Sequence, residues 1–410
     1  MAQIKDKYGF PLFTKNTSTN YLIKAEKTHV SDIWALWHYM INTEKKRYPG
    51  KTDQAFLLSV LEQSQYFYET ANLAPIKSKP LLYYYAFLNI TKAAIVFNDP
   101  SFLSTGLDFN HGIDPCTINS KKQLKDCYIT IKSLVSNNGK LQKLSVAYLL
   151  TCLFEGISLK EISKVNHTST YPYTIDIISL LMSCVGIHRT ACETFKENES
   201  FIHIESPIVE KHSKTLTYSA SIRCDAKMRR LLTDAGYSIK QQNSIYYFKV
   251  DHTMPKSNLT RQEFYVLSKE ILSTGLWFYS TGDEYRLYIS PNRLIMNSKG
   301  VYIFSLFDTR QPNIRFITLS PATIIYYLMF FFGSITRYHP YLFEKVLSDK
   351  QFWLVSEFLR TQPFQFIQLL TSKVLGKYIY TSKMPFINIV LNKFRRQRNV
   401  QRHRASQKSH

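Results

Sequence analysis

Along the first hundred residues, apolar side chains return every three or four positions. Trp34, Trp37, Met40 and Ile41 fall on one face of a helix expected over residues 31–47, and Ser31 followed by Asp32 suits its first turn. Pro49 and Gly50 end it. A second helix is expected over residues 53–71, with Phe56, Leu57, Val60, Phe67 and Tyr68 as its stripe. Pro80 opens a third over residues 81–97, because a proline in the first turn gives up no hydrogen bond. Apart from Asn89, Thr91 and Lys92 this stretch is apolar nearly all round, the pattern of a helix at the centre of a bundle.

The rhythm then weakens. Residues 1–30 form an irregular lead-in and residues 98–122 a loop, while residues 128–135 are strand-like before an Asn137-Asn138-Gly139 turn. Apolar helices return at residues 144–153 and 175–187, separated by a polar stretch around His167. Near Phe201 the pattern changes to short β-rich runs at residues 201–209, 216–222, 244–250, 276–280, 285–289 and 301–307. Short helices around residues 226–235 and 261–272 interrupt them. From Ala322 the chain turns helical again, through residues 352–359 and 364–375, and no internal repeat is present. The expected class is α+β and predominantly helical: a helical bundle with a β-rich insert and a basic, flexible C-terminal tail. The corresponding regions are 1–200, 201–320, 321–392 (packing on the first) and 393–410.

Composition agrees with a large packed body. The chain has 410 residues, 45% of them hydrophobic and 14% aromatic, enough for more than one subdomain and too apolar for global disorder. Its 28 Tyr and 27 Phe are first of all core material. Six scattered cysteines without a C-x-x-C pair suit packed thiols in a reducing cytoplasm, Cys184 and Cys192 included. Met1 to Phe13 carries charge and proline where a signal peptide would need an apolar run. Residues 317–335 make the longest apolar candidate span, but from Pro321 onward they fall short of the roughly 20 residues of a spanning helix, so a buried helix is expected.

Charge changes the picture most. After Glu357 there is no Asp or Glu, yet eleven basic residues follow, half of the formal net charge of +22. Lys393, Arg395, Arg396, Arg398, Arg402, Arg404 and Lys408 are the terminal group, directly after the apolar segment Phe386, Ile387, Ile389, Val390, Leu391 and Phe394. Clustered cations of one sign suit a polyanion: a nucleic acid through a basic arm, or less well an anionic membrane surface. A solvated tail is the bland alternative.

Recognisable chemistry is sparse. The thirteen glycines are never closer than six residues, so neither a Walker A loop nor a dinucleotide fingerprint exists, and no cofactor or metal is expected. H-E-x-x-H and G-x-S-x-G are also absent. His188 with Arg189, and His203, are more plainly helix-end and strand residues than an acid–base pair. Arg398 and His403 match the R-x4-6-H spacing of helical HEPN ribonucleases, in a tail with no apolar period to position them. Arg337 and His339, in Arg337-Tyr338-His339-Pro340, close an apolar helix. Capping or a buried ion pair is the first expectation there, and anion binding the second.

The segments Gln65-Tyr66-Phe67-Tyr68-Glu69, Pro75-Ile76, Lys79-Pro80-Leu81-Leu82-Tyr83-Tyr84-Tyr85, Leu88-Asn89 and Lys92-Ala93 resemble the signature of the YaaC-like family of bacterial proteins. His111-Gly112-Ile113, the Asn138-Gly139 turn and the Pro321 helix closing on Arg337-Tyr338-His339-Pro340 follow in the same order. The resemblance spans roughly residues 52–363 and leaves the basic tail as an addition. It implies a mostly helical cytoplasmic protein without an established activity, its signature including Tyr83, Tyr84, Asn89, Lys92, His111 and Arg337. Lys92, His111 and Arg337 are the polar residues at ends of apolar elements, hence the first places to look for a site.

The sequence therefore favours an accessory protein that associates with RNA or DNA through its arm, in a setting such as phage defence. A metal-independent HEPN-like ribonuclease is one alternative, and a protein-interaction subunit of a multi-protein system another. Enzymatic activity and oligomeric state stay open.

Overall fold

The computed structural model describes residues 27–43, 51–116, 123–132, 143–155, 173–197 and 319–375. It also describes residues 226, 229 and 230 and the strands at 4–5, 11–12, 202–212, 215–222, 238–242, 245–253, 276–281, 284–289 and 378–380. The expected strand at 301–307, helix at 261–272 and arm at 393–410 lie outside them.

Helix α1 (Ile33–Thr43) starts where Asp32 Oδ1 accepts from the amides of Trp34 and Ala35, at 2.9 and 3.1 Å. Asp32 rather than Ser31 is thus the capping side chain. Helix α2 (Lys51–Leu73) and helix α3 (Lys79–Asn98) follow as a helical hairpin. Their contact is latched by Ser64 Oγ, which donates to the carbonyl of Ala86 at 2.6 Å. As its pattern predicts, α3 is buried over most of its circumference, from Tyr83 and Phe87 through Ile90 and Ala94 to Phe97, with one half-buried face at Leu81, Tyr85, Leu88 and Lys92.

The expected loop at 98–122 contains more order than its composition suggests. A 3-10 turn at Pro100–Thr105 leads to the strand Ile113–Cys116, which pairs antiparallel with Tyr128–Ile131, itself paired with Tyr173–Asp176. Helix α4 (Val146–Glu155) comes next. The helix expected at 175–187 begins instead after Asp176, whose carboxylate caps α5 (Ile177–Ser183) by accepting from Ser179 N at 2.7 Å. Helix α6 (His188–Phe195) follows.

Among the described residues, the β-rich stretch forms one antiparallel sheet of six strands. Their spatial order is 238–242, 245–253, 215–222, 202–212, 284–289 and 276–281. The strand Ser238–Gln242 carries no alternating pattern and was not expected; pairing with Ile245–Thr253 defines it.

Helix α7 (Pro321–Tyr338) packs on α3 and α4. Ser320 Oγ caps it by accepting from Thr323 N, and every residue from Pro321 to Ile335 is buried. A buried helix is therefore what residues 321–335 form. Gly333 lets α7 approach α3 closely, since a Cβ there would meet Tyr84 Cβ at 3.0 Å and the Pro80 carbonyl oxygen at 3.3 Å.

Helix α8 (Pro340–Ser348) and helix α9 (Gln351–Leu375) complete the helical body. Sequence patterning breaks α9 into two at Pro363, but the helix runs through it. Burial of Leu354, Val355, Phe358, Leu359, Phe366, Ile367 and Leu370 outweighs the one hydrogen bond that proline removes. The strand Tyr378–Tyr380 then pairs in parallel with Lys27–His29. One hydrophobic core runs through the helices, reaching from Ile33 to Leu370 in the chain. Among the described residues, only α3 is long and apolar enough to cross a membrane by length and composition, and 72% of that window is buried inside the protein.

Candidate functional site

Arg337 ends α7 at the surface, where its positive charge complements the helix C-terminus. This is the helix-end placement of the first expectation; among the described residues no carboxylate pairs with it, so the ion-pair half of that expectation has no counterpart there. Instead Nη1 donates to the Tyr85 hydroxyl at 2.8 Å, and the guanidinium stands 5.0 Å from the Tyr338 ring centroid. A guanidinium over a ring gains modest cation–π attraction while its other N–H donors stay available.

Tyr85 belongs to a continuous series of rings. Tyr66 meets Phe67 at 6.0 Å, Phe67 meets Tyr85 at 5.4 Å, and Tyr85 meets Tyr84 at 5.5 Å. Tyr84 then meets Phe330 at 5.3 Å, and Phe330 meets the His111 imidazole at 5.6 Å. The series joins α2, α3, α7 and the bend before Ile113. It starts at a Tyr66 that is 68% exposed, passes through the core at Tyr84 and Phe330, and ends at an exposed His111. Four segments of the family signature, far apart in the chain, are thus in contact.

His111 sits where the chain turns from Phe109–Asn110 into Ile113–Cys116. Its Nδ1 accepts from the Ile113 amide at 3.3 Å, and its carbonyl accepts from Ala147 N at 3.2 Å. Gly112 makes the turn with φ of +71° and lies so close to Ser145 that no side chain fits. Desolvation against the protein lowers the His111 pKa, with a smaller contribution from Lys132. Asp114 opposes this. Lys132 is itself paired with Asp114 at 2.7 Å.

The remaining signature residues divide between packing and the open. Tyr83 donates to Asn72 Oδ1 at 2.8 Å, and burial pushes its pKa up to about 12. Asn89 is buried and donates to Gln63 Oε1 at 3.3 Å. Both therefore bind α3 to α2. Lys92 lies within α3 rather than at its end; partial burial lowers its pKa, and it has no ion-pair partner among the described residues. His339 is the junction of α7 and α8, its amide donating to Ile335 and its carbonyl accepting from Phe343. Arg398, His403 and the other arm residues lie outside the described residues.

Sequence reasoning missed the importance of Tyr85, Tyr326, Phe330 and Tyr338. The available signal was the triple Tyr83-Tyr84-Tyr85, in which consecutive helical positions must face different neighbours. Buried thiols are elsewhere: Cys184 donates to Gln362 Oε1 at 3.5 Å, and Cys192 lies 3.4 Å from His188 Nε2. Among the described residues, no group of three or more His, Cys, Asp or Glu is placed to hold a metal ion.

No curated protein and no solved structure matches the chain. A family model does: that of the YaaC-like protein, over residues 13–374, a longer span than the motifs delimit and one that stops short of the basic arm. With residues 13–374 matched, most of its length, the chain belongs to the YaaC-like protein family.

Proposed function

We propose that this YaaC-like protein associates with nucleic acid, the residues from Lys393 to Lys408 providing the attraction to phosphates. The observation that carries this reading is the charge distribution: eleven cations and no carboxylate after Glu357. Such a block attracts a polyanion by releasing its condensed counterions, and needs no base-reading module to do so. The last described strand before the arm, Tyr378–Tyr380, is held against α9. Ile379 is buried, its amide donating to Ser372 Oγ at 3.0 Å and its carbonyl accepting from Gln368 Nε2 at 2.8 Å. Four buried free thiols suit a cytoplasmic protein, and an accessory role, in phage defence for example, accords with the lack of a catalytic motif.

The test is a salt titration of fluorescent RNA and single-stranded DNA against the protein and a form ending at Asn392. Binding should weaken by a log–log slope of roughly −0.7 per neutralised phosphate on a single strand, and the truncated form should lose most of it. A denaturing gel of the same samples reports cleavage. Degraded RNA would replace this reading with the ribonuclease one. Equal binding by both forms would remove the arm from the argument, and no binding by either would favour a protein or membrane partner.

A further inference from the structure

Between α3 and α7 the fold keeps two hydroxyls that it does not use. Tyr84 is 7% exposed and Tyr326 is 0% exposed, yet neither hydroxyl has a hydrogen-bond partner among the described residues. An unpaired buried O–H costs stability, and phenylalanine at either position would avoid that cost. The two rings are neighbours, meeting edge-on at 6.4 Å. Tyr85 is next in line: its oxygen accepts from Arg337, which leaves its own O–H free to donate.

The electrostatics of this group have one sign. Burial raises the pKa of both Tyr84 and Tyr326, so both stay protonated donors. Among the described residues, the charged forms that act on them are neighbouring phenols, Tyr85 and Tyr338 on Tyr84 and Tyr84 on Tyr326. No carboxylate among the described residues contributes. Donors without acceptors, headed by an exposed guanidinium, suit a ligand that is all acceptor. A phosphate monoester presents several oxygens to a guanidinium fork and to hydroxyl donors. Phe67, 5.4 Å from Tyr85, and the exposed Tyr338 beside Arg337 give the rest of a nucleotide a flat apolar surface.

We propose that Arg337, Tyr85 and Tyr84 form a binding site for a phosphate monoester, with Tyr326 as the positioning residue behind Tyr84. The site uses no residue of the basic arm and stands apart from the arm's attraction to nucleic acid. Free phosphate, a mononucleotide and a 5′-phosphorylated strand end share the required chemistry, and titration separates them.

The experiment titrates the full-length protein with inorganic phosphate, with AMP, and with two oligonucleotides that differ only in a 5′-phosphate. Affinity is read by calorimetry and stabilisation by thermal melting. The extra 5′-phosphate also adds charge for the arm, so the difference that reports the site is the part lost in Tyr84→Phe, which leaves every charge in place. At least one phosphate-bearing probe should bind and raise the melting temperature. Arg337→Gln and Tyr84→Phe should each weaken that binding about tenfold or more. Tyr84→Phe should also melt no lower than the parent without ligand, which separates lost recognition from lost folding. Phosphate binding as well as AMP identifies a free-anion site, AMP ahead of phosphate a mononucleotide site, and preference for the phosphorylated strand a site for nucleic-acid ends. Equal affinity for the two oligonucleotides with no response to phosphate or AMP would overturn the proposal, as would unchanged affinity in Tyr84→Phe.

Discussion

The indole of Trp37 donates to Thr371 Oγ1 at 2.9 Å, tying the first helix to the last across 334 positions of chain. The same hydroxyl donates to the Ile367 carbonyl at 2.7 Å, so one buried Thr settles two polar groups. Thr371→Val keeps the shape and leaves the indole N–H unpaired. It should cost about 1–3 kcal/mol, visible as a lower denaturant midpoint with an unchanged slope. An unaltered midpoint would show that the link contributes nothing to stability.

Gly112 holds the bend that presents His111. A side chain there meets the Ser145 side chain and a φ of +71° together. Gly112→Ala should therefore destabilise by about 2 kcal/mol or more. Gly106, with φ of +65° but open space around it, should tolerate alanine better. Melting both variants side by side separates backbone strain from collision.

The lowered pKa of His111 has a defined sign. The folded state resists protonating this ring, while the unfolded chain takes up its proton near the ordinary value of 6.5. The unfolded state then binds more protons, so stability falls as pH drops below 6.5 and stops falling once the folded ring is also charged. Asp114 favours the charged ring and Lys132, paired with it, disfavours it more weakly, so burial sets the direction. Unfolding measured between pH 8 and pH 5 should show less loss in His111→Gln than in the parent. An identical loss in both would assign the acid sensitivity elsewhere.

Lys92 gives a prediction of opposite kind. Half-buried and without a counter-ion among the described residues, its ammonium is a burden to α3. Lys92→Met should stabilise the fold by about 1 kcal/mol. If function needs the charge, ligand or nucleic-acid affinity should fall in the same variant, and melting and binding together distinguish the two.

Much of the helical body is legible in the pattern of apolar positions. The run from Leu81 to Phe97 announces a central helix because no face of it could profitably meet water. Local rules fail where tertiary burial overrides them. Pro363 looks like a helix boundary, yet α9 continues because apolar residues on both sides of it are already committed to the core. Ile113–Cys116 is too short to show an alternating period and exists through its pairing with Tyr128–Ile131. For the candidate site, helix-end placement singles out Arg337 from sequence. Its partner Tyr85 lies 252 positions away, and no local pattern names it. The unused hydroxyls of Tyr84 and Tyr326 are invisible in sequence for the same reason, since only assembled neighbours show what a buried O–H lacks.

The extensive burial of α3 carries a consequence for how the protein is made. Its partner α2 leaves the ribosome just before it, but α7 and α9 follow more than two hundred residues later. A nascent chain that has reached the central sheet therefore carries a twenty-residue apolar helix with much of its surface open. That interval is when holdase chaperones and aggregation compete for it. The parallel pairing of Tyr378–Tyr380 with Lys27–His29 comes after α9, and the cations from Lys393 onward are translated later still. By then every segment of the body exists, so the core can shut before the most strongly charged part of the polypeptide is exposed to cellular RNA.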